Sequence, residues 1–565
     1  MTRQDLVAAE DVLLFVHAAI TATGQREFHS DADGQRLSLD FLHAYVRVNY
    51  RPLYAAALAL DINDHNAALI VRRLLETAGE ATDEERRTEG QLIAARLARL
   101  PAPRVYRLFR ALRAAKVNNR RTRAIMRDWC AARPDPALDS VKYRAGLKCA
   151  ARHAHLRLDG EPQRAGELGD FLFAPGRRKH FSTPLLDAWR RAHYEQKAVY
   201  ELPFTVAEGF AAAHGIGRRA FLERIAPRMT RLERLRVQES ARATRAEVDL
   251  DPARLPLTRL AAYVLGLPLD ERVARRAELT GALRAAARRT AGARAGTWGR
   301  VAAVLDDSFS TTGSRQKRRR PLATALACHF LLAELAGSYR PLWTSGRRDP
   351  LLAYPYGPTP LGMRLLDALE YAPERLVIVS DGWDNAPPGL AGEVLRVWRT
   401  RLDQEGRTSV VHLNPVYDAE NFAVRRLSAE VPTAGVRDAE DLPALVQLAR
   451  FAEGRTGLAE LRAHLDDRVR QFVRGDHGAS GEHGATVREG ARDERAGSER
   501  AAGLPGAGVG RGPAGAPGAR GAGDRSAAAP RGVPGRAGRA GDGAVRQGHV
   551  LHHVRAPRFR GGLDG

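Results

Sequence analysis

Apolar and polar positions follow two different patterns along this chain, and the change comes near residue 290. Up to that point, apolar residues recur with i, i+3 and i+4 spacing, which indicates amphipathic helices. Thr82 and Glu85 have the spacing of a capping box, and prolines punctuate several helix ends. We predict helices over residues 6–21, 37–49, 66–78, 82–100, 104–116 and 120–132.

Many helices of this length, joined by short breaks, are typical of a HEAT-like array of helix pairs. No clean repeat period is visible, so an irregular helical bundle stays open as the alternative. In both cases the sequence predicts an N-terminal all-α domain over residues 1–290.

Beyond residue 299, short apolar runs alternate with longer helical segments. The runs predict strands over residues 299–305, 339–344, 375–380, 408–413 and 432–436. Helices are predicted between and after them over residues 321–335, 361–371, 393–404 and 441–452. This alternation predicts a parallel sheet covered on both faces, which is the α/β doubly wound, or Rossmann-like, fold, over residues 299–473.

Hydroxyl and carboxylate side chains follow two of these strands. Asp306, Ser308 and Ser310 come after the first strand, Asp381 comes after the third, and Thr359 precedes a helix. Ligands of open parallel sheets bind beyond the carboxyl ends of the strands, and oxygen ligands suit a hard divalent cation. The other interpretation is that the two aspartates are ordinary caps at strand-to-helix turns.

The ordered set Asp-x-Ser-x-Ser, Thr and Ser-Asp-Gly resembles the metal-ion-dependent adhesion site (MIDAS) of von Willebrand factor A (vWA) domains. The resemblance implies a vWA domain with Mg²⁺ (or Mn²⁺) as its cofactor. The chain departs from the family pattern in having Gly357 and Pro358 before the threonine. The metal ligands that the resemblance implies are Asp306, Ser308, Ser310, Thr359 and Asp381, the last partly through water.

The distribution of charge predicts a binding partner for the helical domain. The formal net charge is +23 and the pI is about 10.6, which favours polyanionic partners such as RNA. Residues 104–157 hold 15 Lys and Arg against 3 acids, so much of the charge lies on the helices, where it could neutralise phosphates. A solvated Arg-rich surface is the alternative. The predicted RNA-binding residues are Arg107, Arg110, Lys116, Arg120, Arg121, Arg123, Lys142, Arg144, Lys148, Arg152, His153, Arg177, Arg178 and Lys179.

A basic helical region followed by a vWA-like region resembles the architecture of TROVE proteins, the Ro ribonucleoprotein family. Residues 202–205 and 226–235 are loosely similar to a segment of that family. The resemblance implies that HEAT-like helices form a ring that binds small non-coding RNA or single-stranded RNA ends. We therefore predict an RNA-binding protein that also carries a metal-dependent vWA interaction domain.

A second hypothesis is a bacterial vWA adaptor protein. In that case an acidic protein partner, for example in an AAA+ ATPase system, would supply a carboxylate to the metal. The loop at residues 313–320 holds five cations directly after the Asp306 motif and could attract such a partner. Charge around a central hole in the helices would favour RNA, whereas charge confined to the metal side would favour the adaptor.

Other classes are disfavoured by what the sequence lacks. It has no phosphate-binding glycine loop, no zinc-ligand spacing and no recognisable nucleophile motif, so we predict no enzymatic activity. Cys130, Cys149 and Cys328 are scattered, which argues against a disulfide framework. The N-terminus does not have the pattern of a signal peptide, and no apolar run reaches 18 residues. We therefore predict a cytoplasmic protein with no membrane association.

Residues 475–565 differ in composition from the rest of the chain. They hold 24 of the 53 glycines and a single aromatic residue, Phe559, so they cannot bury enough apolar surface to fold. We predict a disordered tail, which could add nonspecific RNA affinity through its Arg and Gly content. Out-of-frame translation of a GC-rich gene would give the same composition, and we place no site there.

Overall fold

The computed structural model describes residues 3–158, 166–443, 445 and 458–475. The predicted tail therefore lies outside the described residues from residue 476 onward, as does most of the helix predicted over 441–452. The described part consists of an N-terminal helical region and a C-terminal α/β region with a parallel sheet, which confirms the predicted division at this level.

The helical region contains the six helices predicted from periodicity, and their ends differ from the predicted ones by a few residues. Helix α5 begins with the predicted capping box, in which Thr82 and Glu85 each bind the other's backbone N–H. The helices are α1 Arg3–Thr21, α2 Ala32–Asn49, α3 Arg51–Ala56, α4 Asp64–Glu76, α5 Asp83–Leu97, α6 Ala102–Ala114, α7 Arg120–Ala131, α8 Pro136–Lys142, α9 Arg144–Ala154, α10 Glu167–Phe173, α11 Pro184–Arg191, α12 Gln196–Val199, α13 Phe204–Ala213, α14 Arg218–Ile225, α15 Arg231–Thr244, α16 Leu257–Gly266, α17 Leu269–Ala274 and α18 Arg276–Ala291.

The α/β region alternates strands and helices as predicted. Its helices are α19 Arg320–Leu335, α20 Leu361–Glu370 and α21 Leu390–Val397, which continues as a π-helix over Trp398–Leu402; α22 Leu458–Arg474 follows the sheet. Its strands are β1 Arg300–Leu305, β2 Ser338–Trp343, β3 Arg375–Val379, β4 Ser409–Asn414, β5 Tyr417–Asp418, β6 Ala423–Val424 and β7 Thr433–Gly435. The short β5–β6 hairpin was not predicted, because two-residue strands leave no periodic signal.

The order of the strands determines where the loops with the predicted metal ligands lie. The five-stranded sheet has the order β2-β1-β3-β4-β7, and all its pairs are parallel. The chain therefore proceeds outward from β1 in one direction and from β3 in the other. This reversal is a topological switch point, where loops leave a crevice at the carboxyl ends of the strands. Leu305 of β1 lies opposite Val379 of β3, so the segments that follow these two strands are neighbours.

The two faces of the sheet are buried in different ways. Alternate residues such as Val304 and Ile378 point into a small core with α20 and α21. The residues on the opposite face of the sheet, including Leu305 and Val379, pack with α19. They belong to one large core that extends to the N-terminal helices. The described residues all fall within one compact unit.

Buried polar contacts join the helical and α/β regions. The guanidinium of Arg272 in α17 donates to the carbonyl oxygens of Leu351 at 3.2 Å and Ala353 at 2.9 Å. Near α1, the N–H of Gly435 donates to His17 Nδ1 at 3.2 Å. A Cβ on Gly435 would come within 2.9 Å of the His17 carbonyl oxygen, so this close approach requires glycine.

Two further predictions concern the cysteines and the association with membranes. The three cysteines Cys130, Cys149 and Cys328 are free thiols. In the described part of the chain, no helix combines the length and the apolar character that crossing a bilayer requires.

Candidate metal edge and basic helical surface

The first candidate loop follows β1 and is held by backbone and side-chain hydrogen bonds. The Asp306 N–H donates to the Val379 carbonyl at 3.0 Å, which ties this loop to β3. The Asp306 carboxylate accepts from the Ser308 N–H at 2.9 Å and from Ser380 Oγ at 3.0 Å. Ser308 Oγ and Ser310 Oγ lie 3.2 Å apart. The structure thus brings the three residues of the first motif together at the switch point.

The other two predicted ligands come to the same edge through loop-to-loop bonds. The N–H of Phe309 donates to the Gly357 carbonyl at 3.0 Å, which fastens the Thr359 loop to the first loop. The Thr359 N–H donates to Asn385 Oδ1 at 2.7 Å, and this bond ties it to the loop after β3. In that loop, Asp381 accepts from the Trp383 N–H at 3.0 Å and is buried.

Asp307 is a residue that the sequence analysis missed. Its buried carboxylate accepts from Thr344 Oγ1 at 2.8 Å, from the Ser345 N–H at 2.9 Å and from Ser345 Oγ at 2.6 Å. These contacts fix the loop after β1 to the loop after β2. Asp307 therefore positions the neighbouring Asp306, and no local sequence signal separates the two roles.

The donor set fits a hard divalent cation. Burial, followed by the charge of Asp381, raises the pKa of Asp306 well above its usual range. Two buried carboxylates close to one another, with hydroxyls beside them, form a site in which a bound cation would offset the repulsion. No three His, Cys, Asp or Glu side chains are grouped as a metal site within the described ranges, so a cation here would also depend on hydroxyls or water.

The loop at residues 313–320 is less available to a partner than its composition suggests. Lys317 forms a buried ion pair with Glu27 of the helical region. Arg319 donates to the Leu265 carbonyl, and Arg320 Nη1 donates to the Pro415 carbonyl at 3.1 Å. Two of the five predicted cations, Lys317 and Arg319, thus hold the two regions together, and Arg320 has its partner within the α/β region.

The predicted RNA-binding residues divide into two groups. One group is exposed at the surface of α6, α7, α9 and the loop after α10. The exposed members are Arg107, Arg110, Lys116, Arg120, Arg152, Arg177 and Lys179, and Arg123 and Lys148 are half-buried. The loop after α6 meets the end of α9, because His153 Nε2 lies 2.9 Å from the Val117 carbonyl oxygen. This contact brings the surroundings of Lys116 and Arg152 together.

The second group stabilises the fold. Arg121 pairs with the buried Glu89 at 3.1 Å, and Lys142 lies 3.8 Å from Glu233. Arg144 donates to the Phe171 carbonyl at 2.7 Å, and its guanidinium lies over the Trp189 ring. His153 is buried at the contact described above, and Arg178 Nε donates to Asp170 at 2.6 Å. These side chains have protein partners that already satisfy part of their charge or hydrogen-bonding capacity.

Phe173 is a second residue that the sequence analysis missed. It ends α10 and remains 39% exposed, which is unusual for so large an apolar side chain. The Lys148 ammonium lies 5.6 Å and the Arg152 guanidinium 5.1 Å from its ring centroid. Its place four residues before Arg177 was the available signal, since an aromatic beside a basic run is typical of base stacking.

Comparison with known proteins assigns no family to the chain: no protein-family model matches it, and no curated protein matches it. Two features of the structure therefore bear on function. One is the metal edge, formed by Asp306, Ser308, Ser310, Thr359 and Asp381, and the other is the basic helical surface, formed by Phe173 and the exposed and half-buried cations named above.

Proposed function

We propose that this chain is an RNA-binding protein with a TROVE-like architecture. In this proposal a HEAT-like helical region binds single-stranded or small RNA, and a vWA-like region holds Mg²⁺ or Mn²⁺ as a binding rather than a catalytic element. The observation that carries the proposal is the exposed Phe173 ring with Lys148 and Arg152 against it.

The chemistry of this cluster suits a nucleotide. A base can stack on an exposed aromatic ring while the cations beside it neutralise the adjacent phosphates. Burial, then the like charges of Arg144 and Arg152, lowers the pKa of Lys148, so this group of cations repels itself. A phosphate would relieve that repulsion. Exposed Arg177 and Lys179 extend the positive surface along the loop that follows Phe173.

The adaptor hypothesis has less support from the observed contacts. Lys317, Arg319 and Arg320, which could have attracted an acidic partner, bind Glu27 and backbone carbonyls. In contrast, no ion pair engages Arg107, Arg110, Lys116 or Arg120 among the described residues. The available positive charge therefore lies mainly on the helices, which favours RNA over an acidic protein at the metal edge.

The test is the binding of fluorescein-labelled single-stranded RNA to the full chain, measured by fluorescence anisotropy over a range of salt concentrations. Phe173→Ala should weaken binding by about 1–3 kcal/mol, which is roughly 5- to 150-fold, because one stacked base is lost. Phe173→Trp keeps a ring and should retain most of the affinity.

The charge contribution is tested with Lys148→Gln and Arg152→Gln combined. We expect the salt slope to become shallower by about 1.4, or 0.7 for each neutralised phosphate. The matched control is Arg259→Gln with Arg284→Gln, which removes the same charge from exposed positions elsewhere. An equal loss of affinity in both pairs would mean that only net charge matters, and it would reject a site at Phe173.

A further inference from the structure

The loop between α1 and α2, residues 22–31, reaches the metal edge although it belongs to the helical region. Glu27 anchors the loop through its buried ion pair with Lys317, which follows the first metal-edge motif. The Glu27 N–H donates to the Ser30 carbonyl at 3.0 Å, and this tight turn presents the two side chains between them. The loop is therefore held in place from both sides of Phe28 and His29.

His29 faces the predicted ligand Asp381. Its Nε2 lies 3.5 Å from Asp381 Oδ2, and its ring stacks on Trp383 with centroids 4.4 Å apart and an angle of 25° between the planes. The Arg425 guanidinium lies 3.9 Å from the Trp383 ring centroid, so the indole is also held. Phe28 packs against Phe309, between the two serines of the first motif, with centroids 5.9 Å apart.

The contact between His29 and Asp381 has the length of an ion pair rather than of a short hydrogen bond. At 3.5 Å it is longer than a usual N–H···O hydrogen bond, which spans about 2.7–3.2 Å. Two ligands that each lie about 2.1 Å from one cation, at 90–110° to each other, stand about 3.0–3.4 Å apart. At 3.5 Å the observed separation lies just beyond that range, so a shift of a few tenths of an ångström would let the two atoms share a cation, and Trp383 holds the ring in this orientation.

We propose that His29 is a further ligand of the metal edge, supplied by the helical region. It makes a mixed nitrogen–oxygen site in which hydroxyls and water complete the coordination of the cation, since the described residues group no three imidazole, thiol or carboxylate side chains as a metal site. Such a site takes a first-row transition-metal ion such as Mn²⁺ or Zn²⁺ in preference to Mg²⁺, because imidazole binds these ions better than it binds Mg²⁺. This inference rests on the proposed metal site. Its consequence is that the chain itself fills a position that the adaptor hypothesis leaves to a partner's carboxylate.

The experiment uses the full chain loaded with Mn²⁺ and measures nitrogen coupling to the metal by pulsed electron paramagnetic resonance. We expect a ¹⁴N signal from one imidazole in the wild type and its loss in His29→Ala. In titrations, His29→Ala should lower Mn²⁺ affinity about tenfold or more and Mg²⁺ affinity less than about threefold. His29→Glu replaces the imidazole with a carboxylate of similar reach, so it should bind Mg²⁺ and show no nitrogen signal.

The matched control is His155→Asn, which removes an exposed histidine of the helical region at a left-handed position that asparagine tolerates. This variant should keep the nitrogen signal. If wild type binds Mn²⁺, loses it on Asp306→Ala and yet shows no nitrogen coupling, the His29 proposal is rejected while the metal site stands. A nitrogen signal that survives in His29→Ala also rejects it. If wild type binds no divalent ion, the metal site itself is rejected, and this inference with it.

Discussion

The metal edge and the basic helical surface differ in how their residues are held. At the metal edge, Asp306, Thr359 and Asp381 are buried and tied to one another's loops by backbone hydrogen bonds. On the helices, some predicted RNA-binding cations are exposed, whereas others, such as Arg121 and Arg144, hold helices together. A motif at a strand end thus predicts where its residues lie in the fold. A count of charges along helices does not predict which of those charges are exposed.

The strongest contrast is expected between substitutions of two adjacent aspartates, Asp306 and Asp307. Asp306→Ala should abolish Mn²⁺ and Mg²⁺ binding at millimolar metal in isothermal titration, because it removes a charge at the predicted site. It should change the free energy of unfolding little, since the repulsion with Asp381 is also removed. Asp307→Ala should instead cost about 3 kcal/mol of stability, because three donors lose a buried carboxylate. Metal binding that persists in Asp306→Ala would remove the contrast.

A pH effect should involve both regions together. Burial lowers the pKa of His17, His65, His329 and His412 to about 4 and that of His43 to about 3, so all five are neutral in the folded protein. Unfolded histidine titrates at about 6.5, so the unfolded state binds more protons below that pH. The contribution of these neutral histidines to the free energy of unfolding is fully present above pH 6.5 and is lost as the pH falls towards 4. We expect a decrease of about 1 kcal/mol per histidine, or about 5 in total, between pH 6 and 5.

Urea unfolding at each pH measures this decrease. His43→Gln should reduce the pH dependence by about one fifth, because one of the five imidazoles no longer titrates. Both regions share one core, so near-ultraviolet and far-ultraviolet circular dichroism should report one transition. Two separate transitions would show that the helical and α/β regions unfold independently.

A smaller effect compares two cations on one helix. Arg144→Ala should cost about 2 kcal/mol of stability, because its bond to the Phe171 carbonyl and its contact with Trp189 are lost. Lys148→Ala, one turn later, should change stability by less than about 0.5 kcal/mol and yet weaken RNA binding. Thermal unfolding and fluorescence anisotropy on the same preparations measure the two quantities. Equal stability losses would mean that the two groups of cations do not differ.

The weakest effect should distinguish, within α7, the cations Arg120 and Arg123 from the ion-paired Arg121. Arg120→Ala with Arg123→Ala should reduce the salt slope of RNA binding by about 1.4, because two cations release fewer counterions. Adding Arg121→Ala should lower stability without a further change in slope, since Arg121 pairs with Glu89 and donates to the Arg86 carbonyl at 3.0 Å. A slope that continues to decrease with the third substitution would show that Arg121 also meets phosphate.

The sequence determined the main elements of the fold, because their signals are local. Helix periodicity, the capping box at Thr82 and the apolar runs of β1 and β3 each act within about ten residues, and the structure has these elements. The predicted ligands of the metal edge are near one another for a related reason. Parallel register places the segments after Leu305 and Val379 side by side, so two strand-end motifs meet once the sheet forms.

Which side chains remain available, and which partners come from distant parts of the chain, depends on the assembled fold. Glu27 and Lys317 are 290 residues apart, and no periodicity could pair them or bring His29 to Asp381. Likewise, Arg121 and Arg123 differ by two positions on one helix, and only packing turns the first towards Glu89. The physical reason is that burial and ion pairing depend on which faces meet, and that is set by the assembled core rather than by local propensity.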